Sequence, residues 1–213
     1  MIRVITISRE YGSGGGTVAG KLAERLAWRL IDRSLLTEVA RRAQVQPDVA
    51  ARYDECLDPW FHRVTKALWQ GGYEGVASTV ENPVFDADTM AELSARAIRE
   101  AAGIGNCVVV GRGGQCILQQ NPDVFHVSLY APIAERVDRM RGRIPDGADL
   151  EAFAEDSDRR RAAYIRRYFG QDWTDRHLYH LMICTSIGLD NVVSTILNAS
   201  GLVPAPVNPL PPA

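Results

Sequence analysis

A three-layer α/β fold, with a parallel sheet between helices, is what this sequence predicts. Three observations predict it. Runs of strand character alternate with amphipathic helical stretches along the chain. Cys107-Val108-Val109-Val110 is an unbroken apolar run, the mark of a central strand covered on both faces. Finally, the β-branched segment Val4-Ile5-Thr6-Ile7 turns through four glycines in five residues, Gly12 to Gly16, and then gives way to an apolar stripe at helical spacing: Val18, Ala19, Leu22, Ala23, Leu26.

The first strand and helix lead to Trp28-Arg29-Leu30-Ile31-Asp32, a short second strand ending in a charge. Residues 34–43 carry Leu35, Leu36, Val39 and Ala40 on one helical face. Pro47, Pro59 and Gly71-Gly72 punctuate the next stretch, so 33–86 is expected to be a partly helical insert at the site-facing edge of the sheet. A helix over 87–102 leads to the strand at Cys107–Val110, which ends in Gly111-Arg112-Gly113-Gly114. Val124–Tyr130 reads as a fourth strand. Pro132 opens an arginine-rich helix, Pro145-Asp146-Gly147 breaks it, and 149–169 reads as another. Tyr179–Cys184 is the expected fifth strand and 189–199 the last helix. The tail 201–213 holds five prolines and no periodicity, which predicts disorder.

Strand, glycine loop and helix in succession suit a phosphate. Glycine lets several backbone N–H groups crowd around an anion, and a helix N-terminus adds partial positive charge. Gly12, Ser13, Gly14, Gly15 and Gly16 would supply the amides; Thr17 would cap the helix, bind Mg²⁺, or do both. The loop departs from G-x-x-x-x-G-K-[ST]. Read from the strand, the lysine position is Gly15, while the literal match from Gly15 to Lys21 fails at Leu22.

Length and composition bound the rest. A chain of 213 residues, 46% apolar, makes one medium domain with a sizeable core. Its net charge of −2 argues against a basic nucleic-acid surface. The cysteines, Cys56, Cys107, Cys116 and Cys184, form no CxxC pair, so free thiols in a reducing cytoplasm are expected. The N-terminal residues run straight into the first strand, so no signal peptide is expected, and no apolar run is long enough to span a membrane.

Four pieces of the chain, in order, resemble the cytidylate kinase-like family of P-loop nucleoside monophosphate kinases: ITISREYGSGGGTVAGKLAERLA, WRLIDRSLL, VVVGRGG and DRRRAAYIRRYFGQDWTD with YHLMICTS. Together they cover about residues 2–198. The resemblance implies a five-stranded parallel P-loop domain over 1–200, a helical acceptor-side insert at 33–86 and a short lid at 139–157. It implies a phosphotransferase that takes ATP and Mg²⁺ and moves the γ-phosphate to a small-molecule acceptor such as CMP or dCMP, with no nucleic-acid or membrane partner, as a monomer or homodimer. Gly12 to Gly16 would hold the donor phosphates and Thr17 the Mg²⁺. Asp32, Arg41 and Arg112 would serve the acceptor. Arg139, Arg141 and Arg143 would close as lid clamps, and Asp158 and Arg161 would form the family's D-x-x-R pair.

Read without the resemblance, the same residues have plainer roles. Asp32 suits a helix N-cap, Asp158 and Arg161 a surface ion pair, and Arg136 to Arg143 a solvated helix face. Gly15 and Gly113 stand where the family carries Lys and Asp. Arg9, at the first glycine of the usual motif, is the candidate to replace that lysine. Two alternatives stay open: a nucleotide-binding sensor or regulator with weak or no catalysis, and a kinase for a non-nucleotide hydroxyl.

Overall fold

The computed structural model describes residues 1–32, 87–141 and 149–203. The expected insert at 33–86, the tail from 204, Arg41 and Arg143 lie outside the described residues. Strand β1 (Val4–Arg9) leads through the glycine loop into helix α1 (Gly15–Leu26), then β2 (Arg29–Ile31). After them come α2 (Ala87–Ile104), β3 (Cys107–Val110), α3 (Gly114–Ile117), β4 (Val124–Tyr130) and α4 (Ile133–Met140). The chain then forms α5 (Leu150–Phe169), β5 (Leu181–Cys184) and α6 (Leu189–Ser200).

The strands lie in the order β2-β3-β1-β4-β5, all parallel. β1 is central, with Val4 opposite both Cys107 and Val124. Because side chains alternate across a strand, the apolar runs supply both layers. Val4, Cys107, Val109 and Val124 face α2, against Leu93, Ala97, Ile98 and Ala101. Ile5, Ile7, Val108, Val110 and Val127 face α1 and α6, against Val18, Leu22, Val192 and Ile196. Each fully buried isoleucine in this set, such as Ile5 or Ile196, contributes roughly 2–3 kcal/mol.

Three local expectations change. The fifth strand begins at Leu181, because Arg176–Leu178 forms a 3-10 turn capped by Asp175. A short helix, α3, succeeds the Gly111–Gly114 turn, where no helix was expected. Helix α1 is capped by the backbone of Gly14, at φ 82, and Thr17 lies inside the first turn rather than capping it. The parallel order brings the C-terminal ends of β1, β2, β3 and β5 to one edge, which is where open α/β sheets bind their ligands.

Candidate active site

The loop after β1 is shaped to present amides. Among the described residues, the only amide from Gly12 to Thr17 tied within the loop is that of Ser13, which donates to the Glu10 carbonyl at 3.3 Å. The Ser13 hydroxyl donates to the same carbonyl at 2.8 Å, so this side chain braces the loop. The N–H groups of Gly15, Gly16 and Thr17 lie in the first turn of α1, where no helical acceptor exists. That turn carries no acidic side chain, so its positive end stays uncompensated. Thr17 is exposed and lines the cavity over the loop.

Arg9 closes the other side of this cavity. Its side chain lies across Gly15: a Cβ built on Gly15 would stand 2.7 Å from both Cβ and Cγ of Arg9. No side chain fits at 15 while Arg9 keeps this course. The guanidinium runs on to Gly111, where a Cβ would collide with Arg9 Nη1. Burial, together with neighbouring Arg161 and Arg112, lowers the Arg9 pKa to about 10, and the group remains cationic at neutral pH. Among the described residues the Arg9 guanidinium has no hydrogen bond or ion pair, although Asp158 and Asp32 are near enough to favour its charged form.

The loop is held from α5 and α4. Asp158 Oδ1 accepts the Tyr11 backbone N–H at 2.8 Å and Arg161 Nη1 at 3.1 Å. Its Oδ2 accepts from Arg136 Nη2. Arg161 Nη1 also donates to the Arg9 carbonyl at 2.7 Å, and its guanidinium lies 5.5 Å from the Tyr11 ring centroid. Arg136 is buried; its Nε donates to the Tyr11 carbonyl at 2.7 Å and its Nη1 to Glu10 Oε2 at 3.3 Å. Asp158 and Arg161 are thus more than a surface ion pair. They and Arg136 fix the backbone of residues 9–11 through partners over a hundred positions away.

Two cavities meet at this point. The smaller, about 360 Å³, is lined by Gly12, Gly14, Gly15, Gly16, Thr17 and Arg139. The larger, about 530 Å³, is lined by Ser8, Arg112, Gln115, Arg160 and the aromatic residues Phe153, Tyr164 and Trp173. Arg9, Tyr11 and Arg161 line both. The described lining of the larger cleft contains four arginines and no carboxylate. Arg112 enters it from a turn in which Gly111, Arg112 and Gly113 have φ of 72, 52 and 74. A non-glycine residue held left-handed costs on the order of 1 kcal/mol or more, which marks a conformation imposed by its surroundings.

Not every expected residue converges. Arg139 lines the smaller cavity, where it donates to Thr185 Oγ1 at 2.9 Å and pairs with Glu135 at 2.8 Å. Arg141 points elsewhere: exposed and paired with Asp138 at 3.1 Å, it lines neither cavity. Asp32 comes just after β2, near Arg9, and is absent from both linings. Glu10, Tyr11, Arg136 and Gln115 do not stand out in the sequence as site residues. Only Arg136 carries a signal there, its place in an arginine-rich helix.

The comparisons agree on family and fold. The profile of the cytidylate kinase-like family matches residues 4–187. An uncharacterized protein from Eubacterium ventriosum is similar in structure, with TM-score 0.67 and 23% identity over 94% of this chain and 99% of that one. Shikimate kinase from Bacteroides thetaiotaomicron gives 0.54 and 14% over 95% and 100%. Shikimate kinase from Acinetobacter baumannii, solved with shikimate, gives 0.51 and 17% over 93% and 92%. At these identities the likeness concerns the P-loop kinase fold. No curated protein matches the chain.

Proposed function

Since the chain belongs to the cytidylate kinase-like family, we propose that it is a phosphotransferase moving the γ-phosphate of ATP to a nucleoside monophosphate such as CMP or dCMP. The observation that carries this reading is the shared wall of Arg9, Tyr11 and Arg161 between the two cavities. A donor on the loop and an acceptor in the larger cleft would face each other across it, and phosphoryl transfer needs chiefly such in-line placement and charge stabilisation.

The loop fits a triphosphate with Mg²⁺. The free amides of Gly12 and of Gly14 to Thr17 would hold the phosphates, and the Thr17 hydroxyl would ligate the cation. Bound Mg²⁺ would supply charge neutralisation on the β- and γ-phosphates. Arg9 stands in for the lysine that Gly15 lacks, and Arg139 flanks the donor. Arg112 and Arg160 serve the acceptor phosphate, while Asp158, Arg161 and Arg136 hold the loop in place.

An anionic phosphate acceptor arrives ionised and needs no base to remove a proton, which suits a cleft whose described lining has arginines and no carboxylate. A hydroxyl acceptor needs such a base, and Asp32 near Arg9 is the observation that favours this second reading. The test is ADP release from Mg-ATP with CMP, dCMP, UMP, AMP, GMP and, as hydroxyl acceptor, shikimate. Turnover on a nucleotide, CMP above all, supports the proposal. Turnover on shikimate alone moves the acceptor to a hydroxyl. ATP binding with no turnover on any of them leaves a nucleotide sensor and overturns the transferase.

A further inference from the structure

The turn after β3 is pinched from two sides. Gly111, Arg112 and Gly113 all lie left-handed, at φ 72, 52 and 74. The Gly114 N–H closes the turn on the Gly111 carbonyl at 3.0 Å, and the Gly111 N–H donates to the Ile7 carbonyl of β1 at 3.0 Å. From β1, the Arg9 guanidinium takes the space beside Gly111, where a Cβ would collide with Nη1. From α5, the Phe169 ring takes the space beside Gly113: a Cβ there would collide with Cε2 and stand 2.7 Å from Cζ. Gly113 thus gives up its side-chain position to a distant element, as Gly15 does to Arg9.

Phe169 is itself held. It is the last residue of α5, which Gly170 ends at φ 65 with its N–H on the Arg166 carbonyl at 3.1 Å. The two residues before it tie this end of the helix to the first turn of α2. Arg167 Nη2 donates to Asp88 Oδ1 at 2.8 Å, and the Tyr168 hydroxyl donates to the same oxygen at 2.6 Å. The Phe169 ring also meets Tyr164 edge-on, with centroids 6.1 Å apart. Phe169 lines neither cavity, so whatever it does for a ligand passes through the turn it touches. Arg112 depends on that turn. It lines the larger cleft and has no hydrogen bond or ion pair among the described residues, so the backbone decides where its guanidinium goes. A left-handed arginine persists only where its surroundings over-determine it.

We infer that Phe169 is a positioning residue for the phosphoryl acceptor: its ring, seated where a side chain of residue 113 would be, locks Arg112 in the left-handed conformation that presents it to the larger cleft. The inference rests on the reading of Arg112 as an acceptor-phosphate arginine and adds what holds it there. The holding force is packing rather than a directional bond, and close-packed contacts resist small displacements. Removing the ring opens the space beside Gly113, and the turn is then free to leave the left-handed region.

Steady-state kinetics of the full chain, at saturating Mg-ATP, test it with CMP, dCMP, UMP, AMP and GMP. For the nucleotide that wild type turns over best, Phe169→Ala should raise KM at least about tenfold while kcat changes less than about threefold. The Kd of a non-hydrolysable Mg-ATP analogue should not move. Arg112→Ala should raise the same KM by at least as much. Adding Phe169→Ala to Arg112→Ala should then change KM less than about twofold, because a residue that acts only through Arg112 has nothing left to position. Should Phe169→Ala fail to fold, Phe169→Leu, which keeps apolar bulk and loses the flat ring, should raise KM at least about threefold and be equally silent over Arg112→Ala. Amide exchange supplies a readout apart from turnover: in either Phe169 variant Gly114 should quicken at least about fivefold more than Val109 of β3. Unaltered KM in a folded Phe169 variant, effects that multiply in the double variant, or equal quickening at Gly114 and Val109 overturns the inference while the transferase reading stands. A wild-type chain that phosphorylates none of the nucleotides overturns both.

Discussion

Arg9 and Gly15 occupy one place between them: the arginine stem lies 2.7 Å from where a Cβ of residue 15 would be. The usual phosphate-loop lysine and this arginine are therefore alternatives, and the glycine at 15 is the condition for Arg9 to reach the junction of the two cavities. Gly15→Lys should clash with Arg9, weakening Mg-ATP binding at least tenfold by calorimetry. Arg9→Ala combined with Gly15→Lys should recover most of that loss, since the collision is removed and a cation returns. A double variant no better than the single one contradicts the exchange.

Asp158 ties Arg136, Arg161 and the Tyr11 amide together with a side chain only 15% exposed. Asp158→Asn removes the carboxylate paired with Arg161 and leaves Arg136 with Glu10 alone, and breaking a buried pair costs about 3–5 kcal/mol. Denaturant unfolding should show a loss of that order. Asp138→Ala, which breaks the exposed pair with Arg141, should change stability by less than about 1 kcal/mol.

His126 is buried in the sheet, its Nδ1 2.7 Å from Thr6 Oγ1 and its ring stacked on His180. Burial, and then the proximity of His180, pushes its pKa down to about 4 from 6.5. The unfolded chain takes up a proton below pH 6.5 that the folded chain accepts only near pH 4. No penalty exists above 6.5; it grows as pH falls and is complete below about 4, at about 3 kcal/mol. Urea unfolding from pH 7 to 4 should therefore show a steeper loss for wild type than for His126→Asn.

Thr17 lines the smaller cavity with an exposed side chain in the first turn of α1. If its hydroxyl ligates Mg²⁺, Thr17→Ala should raise the Mg²⁺ needed for half-maximal turnover several-fold, and Thr17→Ser should restore it. Equal Mg²⁺ dependence in all three chains removes Thr17 from the metal site.

The layers are legible in the sequence because strands buried on both faces leave unbroken apolar runs, as at Cys107–Val110, and crossover helices leave stripes, as from Val18 to Leu26. The glycine loop is legible for a similar reason: close approach of the backbone demands glycine in a way spacing reveals. What spacing does not reveal is which arginine on a helix turns inward. Arg136, Arg139 and Arg141 read alike, yet one is buried against the loop, one borders the smaller cavity and one is solvated with Asp138. Asp158 and Arg161 stand out by their i, i+3 spacing, but their backbone partners at Arg9 and Tyr11 are about 150 residues away, and only the fold brings them together. Gln115 leaves no signal, since a single buried amide has no pattern.

The most direct test of the account is CDP formation from Mg-ATP and CMP by wild type and by Arg9→Ala, with ATP and CMP binding measured separately. Removing one preorganised charge from a transferring group typically slows turnover by about 10²–10³-fold. The account predicts CDP from wild type and a loss of at least that order in Arg9→Ala, with CMP still bound. Equal turnover in the two chains, or no CDP from wild type, would contradict it.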